Sequence, residues 1–192
     1  MNSIRRRHAL VWGAANAACF SLIDPSNEAH AMNITADFPP ELKTALPAAR
    51  VLGTGVLRFF GLRVYEARLW TLPGFLPERY ESHPFALELT YERKLQGKDI
   101  AERSIAEMRR IGSFTEAQAG QWLALMLEAF PDVTSRDRLL GFWDGQGEVR
   151  FTHNGKLTAR VRDAEFARLF FGIWLAPQSA APALRTALLG LG

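Results

Sequence analysis

The chain has 192 residues, 48% of them hydrophobic and 22% charged, with a formal net charge of +3. That length suits one domain with a sizeable core, and so small and dispersed a charge excludes a general nucleic-acid binder. A single cysteine excludes a disulfide framework.

The N-terminus has the composition of an export signal. Arg5, Arg6 and Arg7 form a basic cluster, Ala9 to Ile23 is mostly apolar, and Ala29-His30-Ala31 presents small residues at the two positions a signal peptidase reads. The pattern predicts a cleaved signal over residues 1–31 and one mature domain over 32–192, periplasmic or secreted after cleavage near Ala31. The arginines followed by His8-Ala9-Leu10 suit the folded-protein export route as well as the general one. Cleavage leaves 20 basic against 18 acidic residues and removes Cys19, so the mature chain has no thiol chemistry. Beyond the signal, no apolar run approaches the roughly 20 residues of a membrane span.

Residues 32–50 hold Pro39, Pro40 and Pro47, which argue against long regular structure before the first strand. From Leu52 to Thr71 the chain has no proline and is rich in apolar, β-branched and aromatic residues. It reads as two strands, Arg50 to Phe60 and Leu62 to Thr71, with Gly61 as a turn or bulge. Three prolines make Leu72 to Pro84 a loop. Phe85 to Glu92 alternates apolar and polar residues as a half-buried strand does.

Two helices are predicted next. Ile100, Ala101, Ile105, Met108 and Ile111 recur at helical spacing up to Gly112. Ser113 with Glu116 resembles a capping box for a second helix carrying Ala119, Trp122, Met126 and Phe130, halted by Pro131. Strands return with Leu139 to Trp143, a turn over Asp144 to Gly147, and a hairpin around His153-Asn154-Gly155. A two-residue Asn-Gly turn would set Phe151 opposite Thr158, whereas a three-residue loop sets it opposite Leu157, and the apolar match favours the longer loop. Asp163 is an N-cap candidate for a helix to about Trp174, and a last helix begins near Pro182. Amphipathic helices that need a sheet face to cover define an α+β fold with a mainly antiparallel sheet.

Chemistry-bearing residues are few. His83 and His153 have no ligand-spaced partner, so no metal site is expected, and no motif calls for a cofactor. Arg58 lies between Val56-Leu57 and Phe59-Phe60, where a guanidinium is either turned to solvent or held for an anion. Arg58 and Tyr65 stand an odd number of positions apart, and Gly61 read as a bulge would return them to one face.

Several of these segments in order resemble the exported bacterial branch of the chalcone isomerase-like family. They are Gly53-x-Gly55 with Arg58, Val64-Tyr65-x-Ala67-x-Leu69, Leu87 to Arg93 leading into the Ile100 helix, Asn154-Gly155, Phe166 to Leu175, and Leu188-Leu189-Gly190. The resemblance covers about residues 45–190. It implies an open-faced β-sandwich, a large antiparallel sheet with helices layered on one face and a ligand cleft between them.

In plant chalcone isomerases an arginine with tyrosine, lysine and asparagine groups stabilises an enolate in a dry cleft. Carried onto this chain, the arginine falls at Arg58, the tyrosine at Ile100, the lysine at Arg103 and the asparagine at Glu107. Only the arginine is retained, which implies a non-catalytic protein. Fatty-acid-binding members of the family suggest instead a small hydrophobic or acyl ligand gripped by Arg58 and Tyr65, with Arg103 alongside. Two other readings stay open: an intramolecular lyase or isomerase acting through Arg58, and a structural or partner-binding envelope protein whose cleft is filled by its own side chains.

Overall fold

A computed structural model describes residues 38–191; the expected signal over 1–31 lies outside them. The first elements after the proline-rich lead-in are a one-turn helix α1 (Leu42–Ala45) and a long hairpin of β1 (Arg50–Phe59) and β2 (Leu62–Thr71). A 3-10 turn (Pro77–Ser82) leads to β3 (Phe85–Tyr91), then α2 (Gly97–Ile111) and α3 (Glu116–Ala129). Three short strands follow, β4 (Arg138–Trp143), β5 (Glu148–His153) and β6 (Lys156–Arg162), and α4 (Ala164–Leu175) and α5 (Pro182–Leu189) close the chain.

The six strands form one antiparallel sheet in sequence order, β1 to β6. Alternation decides which face is covered. Tyr65, Ala67 and Leu69 on β2, with Phe85, Leu87, Leu89 and Tyr91 on β3, join Phe166, Phe170, Phe171 and Trp174 of α4 in one buried cluster. Phe166 and Phe170 stack at 5.4 Å, and Phe85 meets Phe171 edge-on at 4.8 Å. Apolar area removed from water here is the main force joining sheet to helices. The result is the expected α+β open-faced sandwich.

The opposite face is not bare. Glu41, next to α1, accepts from Arg138 at 2.8 Å and from Thr152 at 3.2 Å, while Leu42 and Leu46 are buried beside it. Glu88 is also buried, and Trp70 donates to it at 2.8 Å. The expectation of a half-buried β3 is therefore corrected: this central strand is covered on both faces.

Two glycines let α5 reach the sheet. A Cβ on Gly53 would stand 2.1 Å from the Ala187 carbonyl oxygen, and one on Gly55 would stand 2.6 Å from Leu184 Cδ1. The Gly53-x-Gly55 pair named in the family resemblance is thus a close-approach site for a helix.

Three local expectations change. The second helix is capped two residues later, by Thr115 and Gln118 in a full capping box rather than Ser113 and Glu116. Gly61 is not a bulge: it forms a two-residue turn with Phe60, and the register slips between Leu57 and Arg58, passing over Val64. The last hairpin also has a two-residue turn, Asn154-Gly155, not three. A slip past Thr158 sets Phe151 opposite Ala159, so a bulge supplies the apolar match that a longer loop was expected to give.

Candidate functional site

The polar groups at the sheet–helix interface gather where β2 and β3 meet α2 and α4. Tyr65 and Tyr91 are cross-strand partners, and their rings meet edge-on at 5.7 Å. Tyr65 is held from the helix side as well. Trp174 on α4 donates its indole N–H to the Tyr65 hydroxyl at 2.9 Å, in a buried contact.

On α2, Ser104 and Glu107 lie one turn apart and both are buried. Ser104 donates to the Ile100 carbonyl at 2.8 Å. The Glu107 carboxylate is paired with Arg103, one turn before it, and with Arg110 at 3.5 Å. One carboxylate between two guanidinium groups leaves this stretch of helix net positive, with Arg103 exposed.

Both phenols are pushed well above their ordinary range. For Tyr65 burial dominates; the Trp174 hydrogen bond opposes it and the Glu107 charge adds to it. For Tyr91 burial again dominates, with Tyr65 adding to it. The two therefore stay neutral donors at any physiological pH.

They are not equally satisfied. Tyr65 accepts from Trp174, whereas the Tyr91 hydroxyl makes no hydrogen bond among the described residues, although Tyr91 is only 2% exposed. Its oxygen is not sealed off, because among the described residues the sealed side-chain polar atom lacking a partner is Arg150 Nε. A buried side chain with an unpaired donor is where a hydrogen-bond acceptor gains most.

The structure separates the three residues expected to bind a ligand. Tyr65 is buried at the sheet–helix interface. Arg103 is exposed on the rim of α2, tied to Glu107. Arg58 immediately follows Leu57, the partner of Tyr65, so its side chain leaves the other side of the ribbon. It is exposed, and its guanidinium reaches the Gly61 carbonyl at 3.4 Å. With the slip at Val64 rather than at Gly61, Arg58 and Tyr65 do not converge on one carboxylate.

In the sequence Tyr91 is one position of an alternating strand and Trp174 the end of a predicted helix, with nothing to single them out as site residues. The alternation of β3 put Tyr91 on the correct face, but its pairing with Tyr65 needs the register. Among the described residues, no group of three or more His, Cys, Asp or Glu side chains could hold a metal ion.

A six-stranded antiparallel sheet with α2 to α5 layered on one face and a phenol pair beneath them defines an open-faced sandwich of chalcone isomerase type. The chain belongs to the chalcone isomerase-like family, which it matches over residues 50–190. It is similar to an uncharacterised protein of Haemophilus influenzae, 31% identical over 127 residues; the match spans 66% of this chain and 61% of that protein. In fold it is similar to a fatty-acid binding protein of Arabidopsis thaliana, AtFAP1, whose crystal structure aligns with a TM-score of 0.58 at 12% identity over 74% of this chain and 87% of that one.

Proposed function

We propose that this protein is an exported, non-catalytic binder of a small apolar ligand of acyl type, held between the sheet and α2 with its polar end at the Tyr65–Tyr91 pair. The observation that carries this reading is the Tyr91 hydroxyl, without a hydrogen bond among the described residues, in a buried aromatic cluster beside the Tyr65–Trp174 bond. An acyl carbonyl or carboxyl group supplies the acceptor that the phenol lacks, and the tail is matched by apolar residues such as Leu57, the cross-strand partner of Tyr65. Arg103 at the rim, sharing Glu107 with Arg110, suits an ionised head group. The fatty-acid binding of the structural neighbour agrees with this ligand class.

Catalysis of the chalcone isomerase kind requires stabilised negative charge on an enolate. Here the carboxylate of Glu107 acts on Tyr65 in the opposite sense, and Ile100 offers no hydroxyl. Arg58, the retained arginine, points away from the tyrosine pair. Export is supported by Arg5 to Arg7, the apolar Ala9 to Ile23 and the small residues at Ala29 and Ala31.

Native mass spectrometry of protein purified from its own cells tests the reading. A retained acyl-type mass on a chain beginning near Met32, lost in Tyr91→Phe, is expected. Ligand-free protein that takes up no medium-chain fatty acid would overturn the binder, and chalcone cyclisation well above the uncatalysed rate would replace it with an isomerase.

A further inference from the structure

The β1–β2 hairpin runs past the sheet. Its last contact with β3 is the Tyr65–Tyr91 rung and the bond from Glu92 N to the Val64 carbonyl. Beyond that, the rungs Arg58–Arg63 and Phe59–Leu62 and the Phe60-Gly61 turn project about 10 Å, at roughly 3.3 Å per residue. At this tip Phe59 is 59%, Phe60 90% and Leu62 56% exposed.

The described residues of the domain do not bury these three side chains. Phe60 adopts a φ of 48°, in the left-handed region that a bulky side chain disfavours. The same chain builds the same kind of turn at Asn154-Gly155, with φ of 49° and 82°, and there uses the asparagine that such a turn favours. At Phe60-Gly61 the conformation is kept and the side chain is instead large, apolar and in water. Phe59 and Phe60 meet edge-on at 4.5 Å, forming one apolar knob with Leu62 close by.

Charge surrounds the knob on its inner side. Arg58 and Arg63 flank it, and Arg93 and Lys94, both exposed, follow the end of β3 alongside. Against these four stand Glu92, bound to Arg63 at 2.6 Å and also acted on by the Arg58 charge, and Glu66, whose charge reaches Arg63 but whose carboxylate is held by Arg68 at 2.9 Å. Arg58 has no ion pair among the described residues. An apolar point with cations set one rung behind it matches a lipid surface with anionic headgroups, where rings enter the acyl boundary and arginines stay at the phosphates. A protein groove would cover one side of a ribbon, whereas here the turn and the rung behind it are apolar.

We infer that the β1–β2 hairpin tip docks the protein on an anionic lipid surface, with Phe59, Phe60 and Leu62 inserted and Arg58 against headgroup phosphates. The inference does not depend on the cleft holding a ligand.

Co-sedimentation of the protein, as recovered from its cells, with vesicles tests this. Wild type should bind vesicles of phosphatidylcholine and phosphatidylglycerol in equal parts, bind pure phosphatidylcholine less, and be released by salt. Phe59→Ser combined with Phe60→Asn should weaken binding roughly tenfold or more. Asparagine suits the positive φ, so the double variant should keep its melting temperature. Arg58→Glu should weaken binding to the anionic vesicles alone. Leu127→Ser, at a residue 45% exposed on α3, should change nothing. Equal sedimentation of wild type and double variant would overturn the inference. So would an oligomer in vesicle-free solution that the double variant dissociates, which would assign the tip to a second copy.

Discussion

Trp174 donates to the Tyr65 hydroxyl at 2.9 Å across 109 residues of chain. The bond ties α4 to β2 at the point where the sheet–helix interface turns from aromatic packing to polar groups. It also fixes the Tyr65 ring next to Tyr91, so a structural contact orients the candidate site.

The losses from removing each partner of this bond should not add. Tyr65→Phe keeps the ring but leaves the indole N–H buried without an acceptor, a loss of about 1–3 kcal/mol. Trp174→Phe strands the phenol and also opens space, so its loss should be at least as large. The double variant should lose clearly less than the sum of the two. Urea unfolding of all four proteins measures the coupling, and strictly additive losses would mean that the bond contributes nothing.

Gly53 and Gly120 should respond oppositely to alanine. At Gly53 the new Cβ would meet the Ala187 carbonyl oxygen, so α5 must move off β1, at a cost of about 1–3 kcal/mol or more. Gly120 is exposed inside α3 with nothing within 4 Å of its would-be Cβ, so Gly120→Ala should stabilise by roughly 0.5–1 kcal/mol. Thermal melts of the two variants should move in opposite directions.

The sequence made the layers of this fold legible and left its slips hidden. Among the described residues, apolar periodicity located β3, the β5–β6 hairpin, α2, α3 and α4, because burial on one face writes a repeat into the chain, while β1, β2 and β4 were legible as apolar runs and α5 by Pro182. Bulges write none. The slips past Val64 and Thr158 decide which side Arg58 takes and how Phe151 meets Ala159, yet each is one residue in an ordinary strand. The candidate site depended on those slips: Arg58 stood out by its apolar neighbours, whereas Tyr91 and Trp174 became visible only with register and helix docking in place. The exposed knob at Phe60 was hidden for a related reason, since an apolar run at a hairpin end reads as strand.

Arg58→Gln should leave stability within about 0.5 kcal/mol of wild type, because the side chain is exposed and makes no ion pair among the described residues. Loss of a partner to a buried carboxylate would instead cost on the order of 3–5 kcal/mol. Chemical denaturation separates the two, and the larger loss would show that Arg58 serves an internal acid.

Glu88 should give the protein an acid-favoured component of stability. It lies on central strand β3, 4% exposed, and accepts from Trp70 at 2.8 Å. Burial raises its pKa above the ordinary 4.5, and the Trp70 bond and the charges of Arg138 and Arg68 only partly offset this. The folded state therefore holds the proton more tightly than the unfolded state. Below about 4.5 both states are protonated and the contribution is fully present; as pH rises through the folded value it is lost. Glu88→Gln keeps an acceptor for the indole without a charge to bury. Its stability relative to wild type should be level in acid, climb through the window above 4.5, and level off in glutamine's favour towards neutrality. Urea midpoints of both proteins from acid to neutral pH measure this difference, and parallel curves across that range would show that Glu88 titrates no differently in the fold than in the unfolded chain.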